Sequence, residues 1–273
     1  MMAEKLTLVS TPSLHVVDIG SGAPVVFQHG LGGDRNQIAD SFPADLPCRR
    51  VTVECRGHGL SPFDPKGRYS IARFADDVIA TADSLGLERF SIGGVSMGAA
   101  VALNIACRFP DRIDALALVR PAWLTAAAPT NMQPFVAVAH HLRAHGAEGR
   151  DSFATSPIGL YLAEHAPDNL ASLLGFFAHP EPDQLAALLL DIALDGPGVT
   201  EDDLAAIRVP TLTVGHGVDV VHPLDYARKL AALIPGAVCA EITPKAVDRT
   251  AYAAELKGAL SAFFRMTSRD SRS

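Results

Sequence analysis

The sequence predicts an α/β fold: a doubly wound, mostly parallel sheet with an inserted helical cap. Three observations predict it. Short runs rich in Val, Ile, Leu and Phe alternate with stretches whose apolar residues recur at helical spacing. Between Pro121 and about Ala205 the strand signal vanishes and only helical patterns remain. A length of 273 residues, 48% apolar and 19% charged, suits one large core with an insertion better than two separate domains. The boundaries implied are a core of residues 1–120 plus 206–265, a cap of residues 121–205 and a flexible tail of residues 266–273.

The expected strands, in order, are LHVVDIG (Leu14–Gly20), APVVFQHG (Ala23–Gly30), RRVTVEC (Arg49–Cys55), RFSIGGVS (Arg89–Ser96), DALALVR (Asp114–Arg120), PTLTVGHG (Pro210–Gly217) and AVCAEIT (Ala237–Thr243). Helical periodicity covers Ile71–Gly86, which stops at glycine, and Met97–Pro110, which stops at proline. It resumes over Pro223–Gly236, opening with proline, and over Asp248–Phe264, where Asp248 reads as an N-cap. Within the cap, FVAVAHHLRAHG, LASLLGFFAH and DQLAALLLDIAL read as helices separated by Pro, Gly and Asp.

Composition excludes several functions. The net charge is −7 and the fold contains no Lys/Arg block, so a nucleic-acid partner is not expected. The basic stretch FRMTSRDSRS reads as a frayed end. No basic leader with an apolar core opens the chain, and no apolar run is long enough to span a bilayer. Cys48, Cys55, Cys107 and Cys239 show no metal-binding spacing, and neither H-E-x-x-H nor a phosphate-binding G-x-x-x-x-G-K-[ST] occurs. A cytoplasmic protein with no metal or organic cofactor and a small-molecule substrate or ligand is the expectation. Oligomeric state is not legible.

The chemistry centres on Gly94–Gly98, which read G-x-S-x-G between a strand and a helix. A sharp strand-to-helix turn strains its central residue and needs small neighbours. Such a turn lifts the Ser96 hydroxyl to the C-terminal edge of the sheet, where doubly wound folds bind ligands. The helix N-terminus then directs the Met97 amide toward any oxyanion formed there. HGLGG (His29–Gly33) follows another strand, so the Leu31 amide is a second oxyanion donor, with His29 fixing the loop. ECRGHGLS (Glu54–Ser61) ends the next strand. PTLTVGHGVDVVHP (Pro210–Pro223) places Asp219 just past a late strand.

These motifs, in this order, resemble the α/β-hydrolase fold family in its compact form, with a helical cap after the sixth strand. The resemblance covers residues 12–265 and implies a serine hydrolase. Ser96 is then the nucleophile, Asp219 the triad acid, and Leu31 and Met97 the oxyanion-hole amides. Serine at the elbow argues against the dehalogenase and epoxide-hydrolase branches, which use aspartate there. The family also places its histidine on the loop after the last strand, and here that loop reads TPKAVD (Thr243–Asp248). No histidine follows His222 anywhere.

A serine hydroxyl needs a neighbour to accept its proton, and histidine suits that task. His222 is the base carried forward, although it follows Asp219 by only three residues and sits at a helix start. Lys245, in the shortened loop, is a second candidate. His140, His141, His145 and His165 of the cap are others. Asp248 reads as a helix cap and His58 as structural. The activity expected is hydrolysis of a small, largely apolar ester, thioester or lactone. Leu160, Leu173, Leu174, Phe176 and Phe177 are either its pocket or cap core. The alternatives are a degenerate hydrolase fold that binds a ligand, and lyase-type proton transfer on the same fold.

Overall fold

A computed structural model of the chain describes residues 5–9 and 14–270. The strands are β1 (Lys5–Val9), β2 (Leu14–Gly20), β3 (Ala23–Gln28), β4 (Cys48–Val53), β5 (Phe90–Val95), β6 (Ile113–Val119), β7 (Thr211–Gly215) and β8 (Val238–Glu241). They form one sheet in the order β1-β2-β4-β3-β5-β6-β7-β8. β2 runs antiparallel to both β1 and β4, and every pairing from β4 onward is parallel. All seven expected strands are present, and β1 is an addition at the edge.

Side chains of the central strands alternate between two cores. Val26, Ile92, Leu116 and Leu118 enter one core, with Phe74 and Val78 of α2 (Ile71–Ser84) and most of α3 (Met97–Arg108). Val25, Phe27, Ala115, Ala117 and Val119 enter the other, with Ile38 of α1 (Arg35–Ser41) and Leu256, Leu260 and Phe264 of α11 (Arg249–Asp270). Helices therefore cover both faces, which is why these strands read as continuous apolar runs.

Five α-helices lie between β6 and the short α9 (Glu201–Ala206) that leads into β7: α4 (Gln133–His145), α5 (Gly149–Ala154), α6 (Pro157–His165), α7 (Pro167–Leu174) and α8 (Pro182–Leu194). The first core continues into them through Val138, Phe153, Leu162, Leu189 and Ile192. Polar ties hold them to the sheet layer. Trp123 Nε1–H donates to the Asp195 carbonyl at 2.9 Å, and the Ile71 N–H donates to the Asp195 carboxylate at 2.7 Å. α9 and α10 (Leu224–Leu233) complete the chain order around β7.

Two expectations at the C-terminus fare differently. Asp248 does cap α11, accepting from the Thr250 and Ala251 N–H groups at 2.8 and 2.9 Å. The tail expected from residue 266 does not fray there: α11 continues to Asp270. Phe263, Phe264 and Thr267 share its buried face, and that burial carries the helix on. Residues 271–273 lie outside the described residues. All four cysteines are free. Among the described residues, no helix is long and apolar enough to cross a membrane.

Candidate active site

Ser96 sits between the end of β5 and the first residue of α3, at φ 55°, ψ −112°. This is left-handed backbone that a residue with a side chain rarely adopts. The Ser96 N–H donates to the Val119 carbonyl at 2.9 Å, which ties the turn to β6. The flanking glycines are a packing requirement. A Cβ on Gly94 would lie 2.5 Å from the Gly98 carbonyl carbon, and one on Gly98 would lie 2.3 Å from the Gln28 oxygen.

The loop after β7 brings a histidine to this serine. Val218, at φ 56°, reverses the chain. The Asp219 carboxylate then accepts from the His222 backbone N–H at 3.0 Å, closing a turn that places both side chains on one side. His222 Nδ1 lies 3.0 Å from both Asp219 oxygens, and Nε2 lies 2.8 Å from Ser96 Oγ. Three residues of separation are thus enough to span acid and serine, because the turn aims the ring outward along the sheet edge. Two asparagines fix the loop. Asn169 Oδ1, on α7, accepts from the Val220 and Val221 N–H groups at 2.8 and 3.1 Å. Asn131 Nδ2 donates to the Val221 carbonyl at 2.6 Å and the Ala122 carbonyl at 2.9 Å.

Arg120, one residue past β6, forks onto the same acid. Its Nε and Nη2 donate to Asp219 Oδ2 at 2.9 and 2.6 Å, and Nη2 is also 3.0 Å from His222 Nδ1. Nδ1 cannot serve both neighbours: it donates to Asp219 or accepts from Arg120. Only the first leaves Nε2 bare to accept the Ser96 proton. Burial pushes the Asp219 carboxyl up, but Arg120 and then His222 outweigh it and hold the group well below the carboxylate range. For His222, burial lowers basicity first, Asp219 opposes this and Arg120 reinforces it, leaving the ring below its ordinary value.

The Leu31 turn closes the other side. The Cys55 N–H donates to His29 Nε2 at 3.0 Å, so Nδ1 carries the hydrogen and donates to the Gly30 carbonyl at 2.8 Å. Gln37 Oε1 accepts the Gly30 N–H at 2.7 Å. Among the described residues, the Leu31 and Met97 N–H groups meet no protein acceptor. A cavity of about 90 Å³ holds Ser96 and His222 against Leu31, Leu173, Phe176 and Val221. An open cleft of about 600 Å³, bordered by Asp34, His58 and His179, shares Leu31, Gln37, Ser172 and Phe176 with it. The Phe176 ring lies where a side chain on Gly32 would be, at 2.2 Å from its Cβ position, so only glycine lets the cap close over this loop.

Comparison with known proteins agrees with this architecture. The alpha/beta hydrolase fold family matches residues 23–143. The AB hydrolase superfamily protein YisY of Bacillus subtilis (strain 168) is 31% identical over 237 residues, spanning 80% of this chain and 82% of its own. This chain belongs to the α/β hydrolase fold family. RutD of Rhizobium rhizogenes (strain K84), whose name assigns it provisionally to carbamate hydrolysis, is 30% identical over 221 residues, with 80% and 83% of the two chains covered. The enol-lactonase from Burkholderia xenovorans LB400 shares the fold at a TM-score of 0.66 and 24% identity, covering 92% of this chain and 98% of that one.

In this hydrolase-family chain, Ser96, Asp219, His222, Leu31 and Met97 come together as one constellation. The other candidate bases do not join it. Lys245 lies in the turn after β8 and lines neither the cavity nor the cleft. His140 and His145 are exposed. His141 pairs with the Ser152 hydroxyl at 3.0 Å, and His165 stacks on Tyr161. His58 is buried against His29 and borders only the outer cleft. Of the five apolar cap residues, Leu173 and Phe176 line the Ser96 cavity, Phe177 and Leu174 pack in the core, and Leu160 is exposed. Arg120 went unread in the sequence, although a charge ending the buried run DALALVR at the ligand edge was its visible sign. Asn131 and Asn169 carried no such sign.

Proposed function

We propose that the chain is a serine hydrolase acting on a small, largely apolar carbonyl compound, an ester, thioester or lactone. The observation that carries this is the 2.8 Å contact between His222 Nε2 and Ser96 Oγ, with Asp219 behind the ring. Ser96 Oγ attacks the carbonyl carbon while His222 takes its proton. The oxyanion is held by the Leu31 and Met97 amides, the latter at the positive end of α3. Collapse expels the leaving group, which takes the proton from His222. Water, activated by the same ring, then releases the acid and restores Ser96. The small cavity beside Ser96, walled by Val95, Phe135, Leu173 and Phe176, favours a short apolar acyl group. The likeness to RutD adds carbamates to the substrates worth screening.

The test is labelling by a fluorophosphonate probe, read by intact mass, on wild type, Ser96→Ala and His222→Gln. A single adduct on wild type, absent from Ser96→Ala and formed at least about 10³-fold more slowly in His222→Gln, is the expected result. Wild-type protein that stays unlabelled while folded sinks the reading and leaves the fold as a ligand binder.

A further inference from the structure

In a triad whose histidine arrives on its own loop, the acid–base contact itself joins two parts of the fold. Here Asp219 and His222 share one turn, so their contact anchors that turn to nothing else. Asn131 and Asn169 hold the backbone of the turn, and Arg120 ties the Asp219 carboxylate to the end of β6. Arg120 projects from there at φ 45°, a strained position for arginine, and its planar fork engages Asp219 Oδ2 with two donors. The Asp219 side chain is 1% exposed, so this ion pair works with little solvent screening.

The same guanidinium lies 3.0 Å from His222 Nδ1. A fixed cation there opposes a second proton on the ring, while Asp219 favours it. The other groups facing this cluster come from four elements. His216, at the end of β7, brings Nε2 to 3.7 Å from Asp219 Oδ2, and Ser96 comes from the elbow. Tyr252 of α11 neighbours Arg120 and stacks edge-on against His216. Asp168 of α7 stands toward His216 and is paired with Arg249 at 2.9 Å.

Resting on the proposed serine chemistry, we propose that Arg120 is the positioning residue of this site: it clamps Asp219 to the sheet edge and keeps the His222 ring free of a second proton before Ser96 attacks. The clamp sets geometry, and the charge sets the pH at which the base is ready.

Two variants separate these effects. Arg120→Gln removes the charge but leaves one donor for Asp219. Arg120→Lys keeps the charge but loses the fork. The His222 midpoint is read by NMR on the full chain with ¹³C-labelled histidine, assigned by loss of its signal in His222→Gln. The pH profile of fluorophosphonate labelling is measured in parallel. In Arg120→Gln the midpoint is expected to rise by about 1 unit, carrying the acid limb of the labelling profile with it. In Arg120→Lys the midpoint stays near wild type while plateau labelling falls about tenfold. An unchanged or lowered midpoint in Arg120→Gln overturns the proposal, as does undiminished plateau labelling in Arg120→Lys. If Arg120→Gln does not fold, Arg120→Lys decides alone, since a raised midpoint with the charge retained also overturns it. The NMR midpoint needs no turnover. A wild type that never labels therefore defeats the proposed reaction without touching this readout.

Discussion

Ser96 holds a backbone conformation that costs a residue with a side chain about 1–3 kcal/mol. Ser96→Gly is therefore expected to raise stability by up to about 1 kcal/mol in urea unfolding while abolishing labelling. A loss of stability would show that the turn is not strained. Its partner sets the pH behaviour. In the proposed reaction His222 acts only as the neutral ring, and burial, with Arg120 beside it, holds the ring below its ordinary value. The rate of wild-type labelling should stay flat as pH falls through 6.5 and decline only further down. A midpoint above 6.5 would contradict this. At this scale the sequence was partly legible. The spacing of Gly94, Ser96 and Gly98 and the place of Asp219 are motif and position, which survive without coordinates. The direction of the His222 ring depends on the reversal at Val218, where a β-branched residue takes positive φ against its preference, and no local signal announces that.

The element that matters most is the loop from β7 to α10, and the cap holds it. Asn169 offers one oxygen to two adjacent amides that have no helix or strand to satisfy them. Asn169→Ala should lower kcat by about tenfold, because the loop loses its register, and should also raise KM, because Asn169 lines the Ser96 cavity. Asn169→Asp, which still accepts, should restore most of that rate. Equal defects in both variants would point to folding instead. Elements with two buried faces were the readable ones. α1 buries only Ile38, and α9 only Leu204, so neither shows a period. Their caps were the remaining signals: Asp34 accepts from two amides of α1, and Thr200 forms a capping box with Asp203. β8 was legible as a strand although it is a half-exposed edge, because its composition still favours extended chain.

At the scale of the molecule, and among the described residues, the buried His29, His58 and His216 and the half-buried His222 are held below their ordinary values, with loss of solvent the largest cause. Each is protonated in the unfolded chain near pH 6.5 and stays neutral in the fold, so the unfolded state binds more protons as pH falls. Their contribution is present above pH 6.5 and is lost on acidification toward their folded values. For His58, lowered to about 3, the loss between pH 7 and pH 5 is about 2 kcal/mol. Urea unfolding at the two pH values should show this, and His58→Gln should flatten the dependence by a similar amount. An unchanged slope in that variant would place the acid sensitivity elsewhere. The single turn that carries both Asp219 and His222 has a wider consequence. Acid and base form a cassette four residues long, inherited together and transplantable together, and everything from β8 onward is released from supplying a reacting atom. New termini or fusions beyond Tyr252, whose ring stands beside Arg120, then bear on folding alone, and a chain of this family gains an end that evolution and engineers alike can rewrite.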